Sequence, residues 1–229
     1  MDNIKKLIPL LASHAKEEKI IDMQDVFYRF FMDSFGKIAF GTDINSLSMK
    51  DVPFAQSFDR AQSVLKFRFL NPAFKWTELF NPEVSKDFET VHEFGMKIVK
   101  DRRMGVGVQN DLISLFMNYK NTDDGSMLTD EQLVDHVINF LIAGRDTTAQ
   151  ALSWTLYCLS SNPQCVDKML EEIERIMDNS TIPTYDQVRD MKYCKAVFNE
   201  TLRLYPSVPV DTKVAVEDDV LPDGKNLKY

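Results

Sequence analysis

The chain has 229 residues, 44% hydrophobic and 27% charged, a balance that excludes a disordered chain and allows one large domain or two small ones. Lys and Arg total 27 against 35 Asp and Glu, a net charge of −8, and without a long basic run this argues against a nucleic-acid partner. Glycine numbers only 8, where average usage of about 7% would give roughly 16, which points to a helix-rich chain.

Residues 3–15 predict an amphipathic helix rather than a signal peptide, because the short apolar centre of "MDNIKKLIPLLASHAKEEK" is soon followed by charges. A second helix is expected from Asp22 or Gln24 to about Phe40, then a loop over "GTDINSLSMKDVP". A third starts near Pro53, with Phe54, Phe58, Ala61 and Leu65 at helical spacing. From Phe67 to Phe80 the chain turns aromatic and irregular. A long helix follows over residues 83–103, then a short one in "DLISLFMNYK" and a loop at "NTDDGS".

The central helix is predicted over residues 129–161. Thr129 with Gln132 matches a capping box, and Asp130 and Glu131 suit the positive end of the helix dipole. The next helix has Asn162 as cap and Pro163 at its first position, with Val166, Met169, Leu170, Ile173 and Ile176 on one face. Another spans about 192–204 and stops at Pro206, and only the tail, 207–228, reads as β, with Asp223-Gly224 as a turn. Cys158, Cys165 and Cys194 form no CxxC pair and fit buried thiols in a reducing compartment. No apolar run approaches the roughly 20 residues of a membrane helix.

One stretch of the central helix breaks the helical rules. "FLIAGRDTTAQAL" places a glycine, an Arg-Asp pair and two threonines where leucines are expected. On a helical wheel Phe140, Gly144, Thr147, Thr148 and Ala151 fall within about 40–60° of one line. That line is small in the middle and bears two hydroxyls, so it admits a flat, bulky object or, alternatively, a closely crossing helix. Asp146 points roughly the other way, toward a cation from another helix, and Thr147 can bond back to the Ala143 carbonyl or turn to a ligand.

"AGRDTT", Ala143 to Thr148, resembles the oxygen-activation motif of cytochrome P450 monooxygenases, [AG]-G-x-[DE]-T-[TS], at every defined position. "ETLRLYP", Glu200 to Pro206, resembles the E-x-x-R helix of the same family, and Glu172 with Arg175 is a decoy of the same spacing. The resemblance implies a mainly α fold, here part of the cytochrome P450 fold, in one partial domain over 1–229. It implies a haem cofactor, O2 as co-substrate and electrons from NADPH through a reductase partner. Thr147 would support oxygen activation with its water and Asp146 would feed protons through a relay. Ala143, Gly144 and Thr148 would lie against the haem, with Ala143 and Gly144 leaving room for oxygen. Glu200 and Arg203 would form a buried pair, with Glu172 and Arg175 more exposed. Lys213 would meet a haem propionate or be an exposed strand lysine.

The tail and the order of the elements resemble the eukaryotic branch that hydroxylates fatty acids and related alkyl chains. Phe54, Phe58, Phe67, Phe69, Phe74, Trp76 and Phe80 would then form the substrate-access region, or belong to the core. The family's cysteine loop, F-x-x-G-x-R-x-C-x-G, does not occur in this chain, and none of the three cysteines is expected to replace it. The expectation is a monooxygenase fragment inactive alone, from a parent on the cytosolic face of the endoplasmic reticulum membrane. The alternative is a truncated, non-catalytic helical protein that binds a hydrophobic ligand or a partner.

Overall fold

The structure, a computed structural model, describes residues 2–49, 51–71, 81–106, 111–120, 125–177, 182–211 and 213–227. Main-chain packing divides the chain into two compact units, Met1–Ser161 and Asn162–Tyr229, where the sequence reading expects one domain. The first contains α1 (Asp2–Lys16), α2 (Met23–Phe40), α3 (Pro53–Leu70), α4 (Pro82–Arg103), α5 (Leu112–Met117) and α6 (Asp130–Ser160). The second contains α7 (Pro163–Met177), α8 (Tyr185–Asp190), α9 (Lys192–Leu204), β1 (Asp219–Val220) and β2 (Asn226–Leu227).

Helix ends follow local chemistry. Asp22 caps α2 by accepting from the Gln24 and Asp25 backbone N–H groups, and Gly41 ends it at φ 57°, a left-handed conformation that glycine adopts without a Cβ penalty. Thr129 and Gln132 form the expected reciprocal box: Gln132 N donates to Thr129 Oγ1 at 3.3 Å and Thr129 N to Gln132 Oε1 at 2.9 Å. A second such box, Thr184 with Gln187, starts α8, a helix the sequence reading missed although "TYDQ" carried its signal.

The core of the first unit lies where α2, α3, α4 and α5 meet α6. Met32, Phe40, Phe58, Val99, Ile113, Leu133, Val137 and Leu141 are buried together. Burial of a side chain of this size contributes about 1.5–3 kcal/mol, so this cluster sets the position of α6. Phe54 and Phe58 take the core alternative of the two left open for the aromatic segment, with the Phe54 ring stacked on Phe94. Their spacing of four puts both on the face of α3 that meets α4 and α6, and that apolar surface is buried first. Phe67 is exposed. The side chains of Phe69, Phe74, Trp76 and Phe80 lie outside the described residues.

In the second unit, Gln187 Nε2 donates to the Ile176 carbonyl at 2.9 Å and holds α8 against α7. The expected β-rich tail reduces to one antiparallel hairpin, with Val220 opposite Asn226 across the Asp223-Gly224 turn. Elsewhere in the described tail no strand forms. Pro206 and Pro209 lack a backbone N–H, and Val208, Val210, Val214 and Val216 stand exposed without a neighbouring strand to pair with.

Candidate active site

The motif turn of α6 is built around a buried guanidinium. Arg145 Nη2 donates to Asp59 Oδ1 of α3 at 2.6 Å, Nη1 to Asp146 Oδ1 at 3.2 Å, and Nε to the Tyr28 carbonyl of α2 at 3.3 Å. The same group lies over the Tyr28 and Phe58 rings, 4.7 and 5.4 Å from their centroids. Arg145 occupies the variable position of the motif, so the motif pattern gave no reason to single it out. The signal was physical: a charge in an apolar helix needs a partner.

Asp146 faces α3, as the wheel placed it, but its cation is Arg145 of its own helix. Burial pushes the Asp146 carboxyl above the usual carboxylate range, against the opposing pull of Arg145. A raised carboxyl stabilises the fold in its protonated form, below its ordinary value of 3.8, and that contribution is lost as pH rises through the folded value. Asp146→Asn should therefore unfold at a higher denaturant concentration than the parent at neutral pH, and the difference should vanish in acid. Equal midpoints at neutral pH would contradict this.

Thr147 Oγ1 donates to the Ala143 carbonyl at 2.7 Å, the back-bonded alternative of the two expected. Ala143 is exposed, and Thr147 and Thr148 are half-buried. Gly144 meets another helix. Its missing Cβ would stand 2.1 Å from Phe35 Cε2 and 2.2 Å from Phe35 Cδ2. The space on the Cβ side of Gly144 is thus filled by a ring from α2, as in the alternative of a closely crossing helix.

The E-x-x-R side chains do pair, with Arg203 donating to both Glu200 carboxylate oxygens at 2.8 and 2.6 Å. They are not buried: Glu200 is 56% and Arg203 66% exposed, because no described element covers that side of α9. Glu172, expected to be solvated, is the buried carboxylate. It accepts the Tyr193 and Cys194 backbone N–H groups, both at 2.9 Å, at the start of α9, where helical amides lack partners of their own. Arg175 is exposed as expected. Lys213 is 86% exposed, lies outside the strands and pairs with Asp211 at 2.7 Å.

The profile of the cytochrome P450 family matches residues 2–228. The chain belongs to the cytochrome P450 family. It is 37% identical to cytochrome P450 monooxygenase cyp1 of Mycosarcoma maydis, over 94% of this chain and 37% of that one. It is 32% identical to cytochrome P450 86B1 of Arabidopsis thaliana, over 98% of this chain and 44% of that protein. The solved structure of the cytochrome P450DA heme domain superposes with a TM-score of 0.84 at 24% identity, over 99% of this chain and 50% of its own. That likeness gives the same mainly α fold. The chain spans less than half the length of these two sequence relatives.

A cytochrome P450 implies haem, and the described residues fit it on one side only. The exposed Ala143 followed by Thr147 one turn on gives α6 a low face that can accept an extended planar group. No cysteine here suits the iron, which requires a thiolate. Cys158, Cys165 and Cys194 are half-buried in helices, and burial together with neighbouring Glu172 pushes the Cys194 thiol up to about 11. No described helix is long and apolar enough to cross a membrane.

Proposed function

We propose that the complete protein is a haem-dependent monooxygenase that inserts one atom of O2 into an apolar chain such as a fatty acid. The other atom leaves as water, with two electrons from NADPH delivered through a reductase partner. The parent works at the cytosolic face of the endoplasmic reticulum membrane. The observation that carries this reading is the motif turn, where a half-buried carboxyl of raised proton affinity, Asp146, is adjacent to Thr147. The haem supplies oxygen binding and electron transfer when present. This chain's residues supply the proton path and the shape: Asp146, whose carboxyl burial pushes above the usual carboxylate range, passes protons on, Thr147 offers its hydroxyl oxygen, and Ala143 keeps the face low. The name of the Mycosarcoma maydis relative, a monooxygenase, supports the reaction class.

The test uses the full-length parent. Thr147→Ala should keep haem binding while product per NADPH falls by about tenfold or more and peroxide rises, because the lost hydroxyl served proton delivery rather than cofactor binding. Unchanged coupling would remove Thr147 from that role. A parent that binds small polar substrates tightly and ignores fatty acids would overturn the substrate class.

A further inference from the structure

The geometry points to Arg145 as a positioning residue for Asp146, with Asp59 of α3 competing for the same guanidinium. One guanidinium here serves two carboxylates. The shorter bond, 2.6 Å, goes to Asp59, whose side chain is 57% exposed, and the longer, 3.2 Å, goes to the more deeply placed Asp146. The carboxylate that needs compensation more receives less of it, because water already solvates Asp59. Tyr28 and Phe58 hold the guanidinium in place from α2 and α3, so it cannot swing wholly to either partner. The charged groups facing Asp146 are Arg145 on its own helix and Asp59 and Lys66 on α3, with Gln62 of α3 as a neutral neighbour. From α2 the titratable group beside Arg145 is Tyr28, whose hydroxyl accepts from Gln150 Nε2 at 3.1 Å. Arg145 thus lowers and Asp59 raises the tendency of Asp146 to keep its proton, and α3 gains a handle on a group in α6.

This role rests on the proton-delivery reading of Asp146, but its test does not require haem. The Asp146 side-chain carbon is followed by NMR through a pH titration of the full 229-residue chain and two variants. Asp59→Asn hands the guanidinium to Asp146 and removes a like charge, so the proton affinity of Asp146 should fall about threefold, the scale of a partly exposed ion pair. Arg145→Gln should move it the opposite way. If Arg145→Gln fails to fold, Asp59→Asn decides alone, since that half-exposed residue is not part of the core. A titration midpoint that is unmoved or raised in Asp59→Asn overturns the inference, even where thermal stability changes, because a merely structural salt bridge gives that pattern. Such a failure leaves the monooxygenase reading intact, whereas unchanged coupling in Thr147→Ala strikes that reading and not the Arg145 geometry.

Discussion

Asp111→Ala should cost about 3–5 kcal/mol of unfolding free energy, the largest single-residue effect expected in the first unit. Asp111 pairs with Arg102, and both side chains are at most 5% exposed. Its other oxygen accepts the Ser114 N–H at 3.0 Å and the Ser114 hydroxyl at 2.5 Å, capping α5. Arg102 also donates to the Phe40 carbonyl at 2.8 Å and the Val106 carbonyl at 2.6 Å, while its Nε is buried with no partner among the described residues. Removing the carboxylate leaves a buried cation held only by neutral oxygens. Asp111→Asn keeps the cap and loses the charge, so it separates the two contributions. Urea unfolding is the measurement, and a loss below about 1 kcal/mol for Asp111→Ala would show that the pair is not buried in solution.

Gly144→Ala tests the packing reading by the sign of its effect. Helix propensity alone favours alanine by about 1 kcal/mol. The added methyl, however, would stand within 2.7 Å of three Phe35 ring atoms, Cγ among them, so the whole ring must move rather than a flexible tip. Overpacking of this kind costs about 1–3 kcal/mol, and the ring's place between α2 and α6 leaves little room to relax. The variant should therefore be less stable than the parent. Gly144→Ala combined with Phe35→Ala should recover part of the loss, because the cavity left by the ring accepts the methyl. A stabilised single variant would restore the reading in which Gly144 borders open space.

The elements that sequence could place are those whose cause is local. Apolar periodicity and the Thr129 box fixed α6 to within a residue at each end, and Asn162-Pro163 marked the start of α7. The motif itself was visible because it breaks helix rules in a helix that otherwise keeps them. What sequence could not place depends on partners far along the chain. Phe35 lies 109 positions before Gly144, and no pattern near either shows that one fills the other's missing side chain. Asp59 and Arg145 are separated by 86 positions, so the guanidinium's division between two carboxylates emerges only in three dimensions. Glu172 and Glu200 share the same spacing to an arginine. Their burial order is set by the start of α9, which needs a carboxylate, and not by the E-x-x-R pattern.

The central proposal is that this chain of the cytochrome P450 family carries the turn that faces oxygen in the complete protein, and that none of its three cysteines serves as the iron ligand. The most direct measurement is the reduced carbon-monoxide difference spectrum of residues 1–229 after incubation with haem. The three cysteines lie half-buried within helices, and burial together with Glu172 pushes the Cys194 thiol up to about 11. The account predicts no thiolate-ligated band, with any haem taken up showing nitrogen ligation or none. A thiolate band from this chain, abolished by replacing one of Cys158, Cys165 or Cys194, would contradict it.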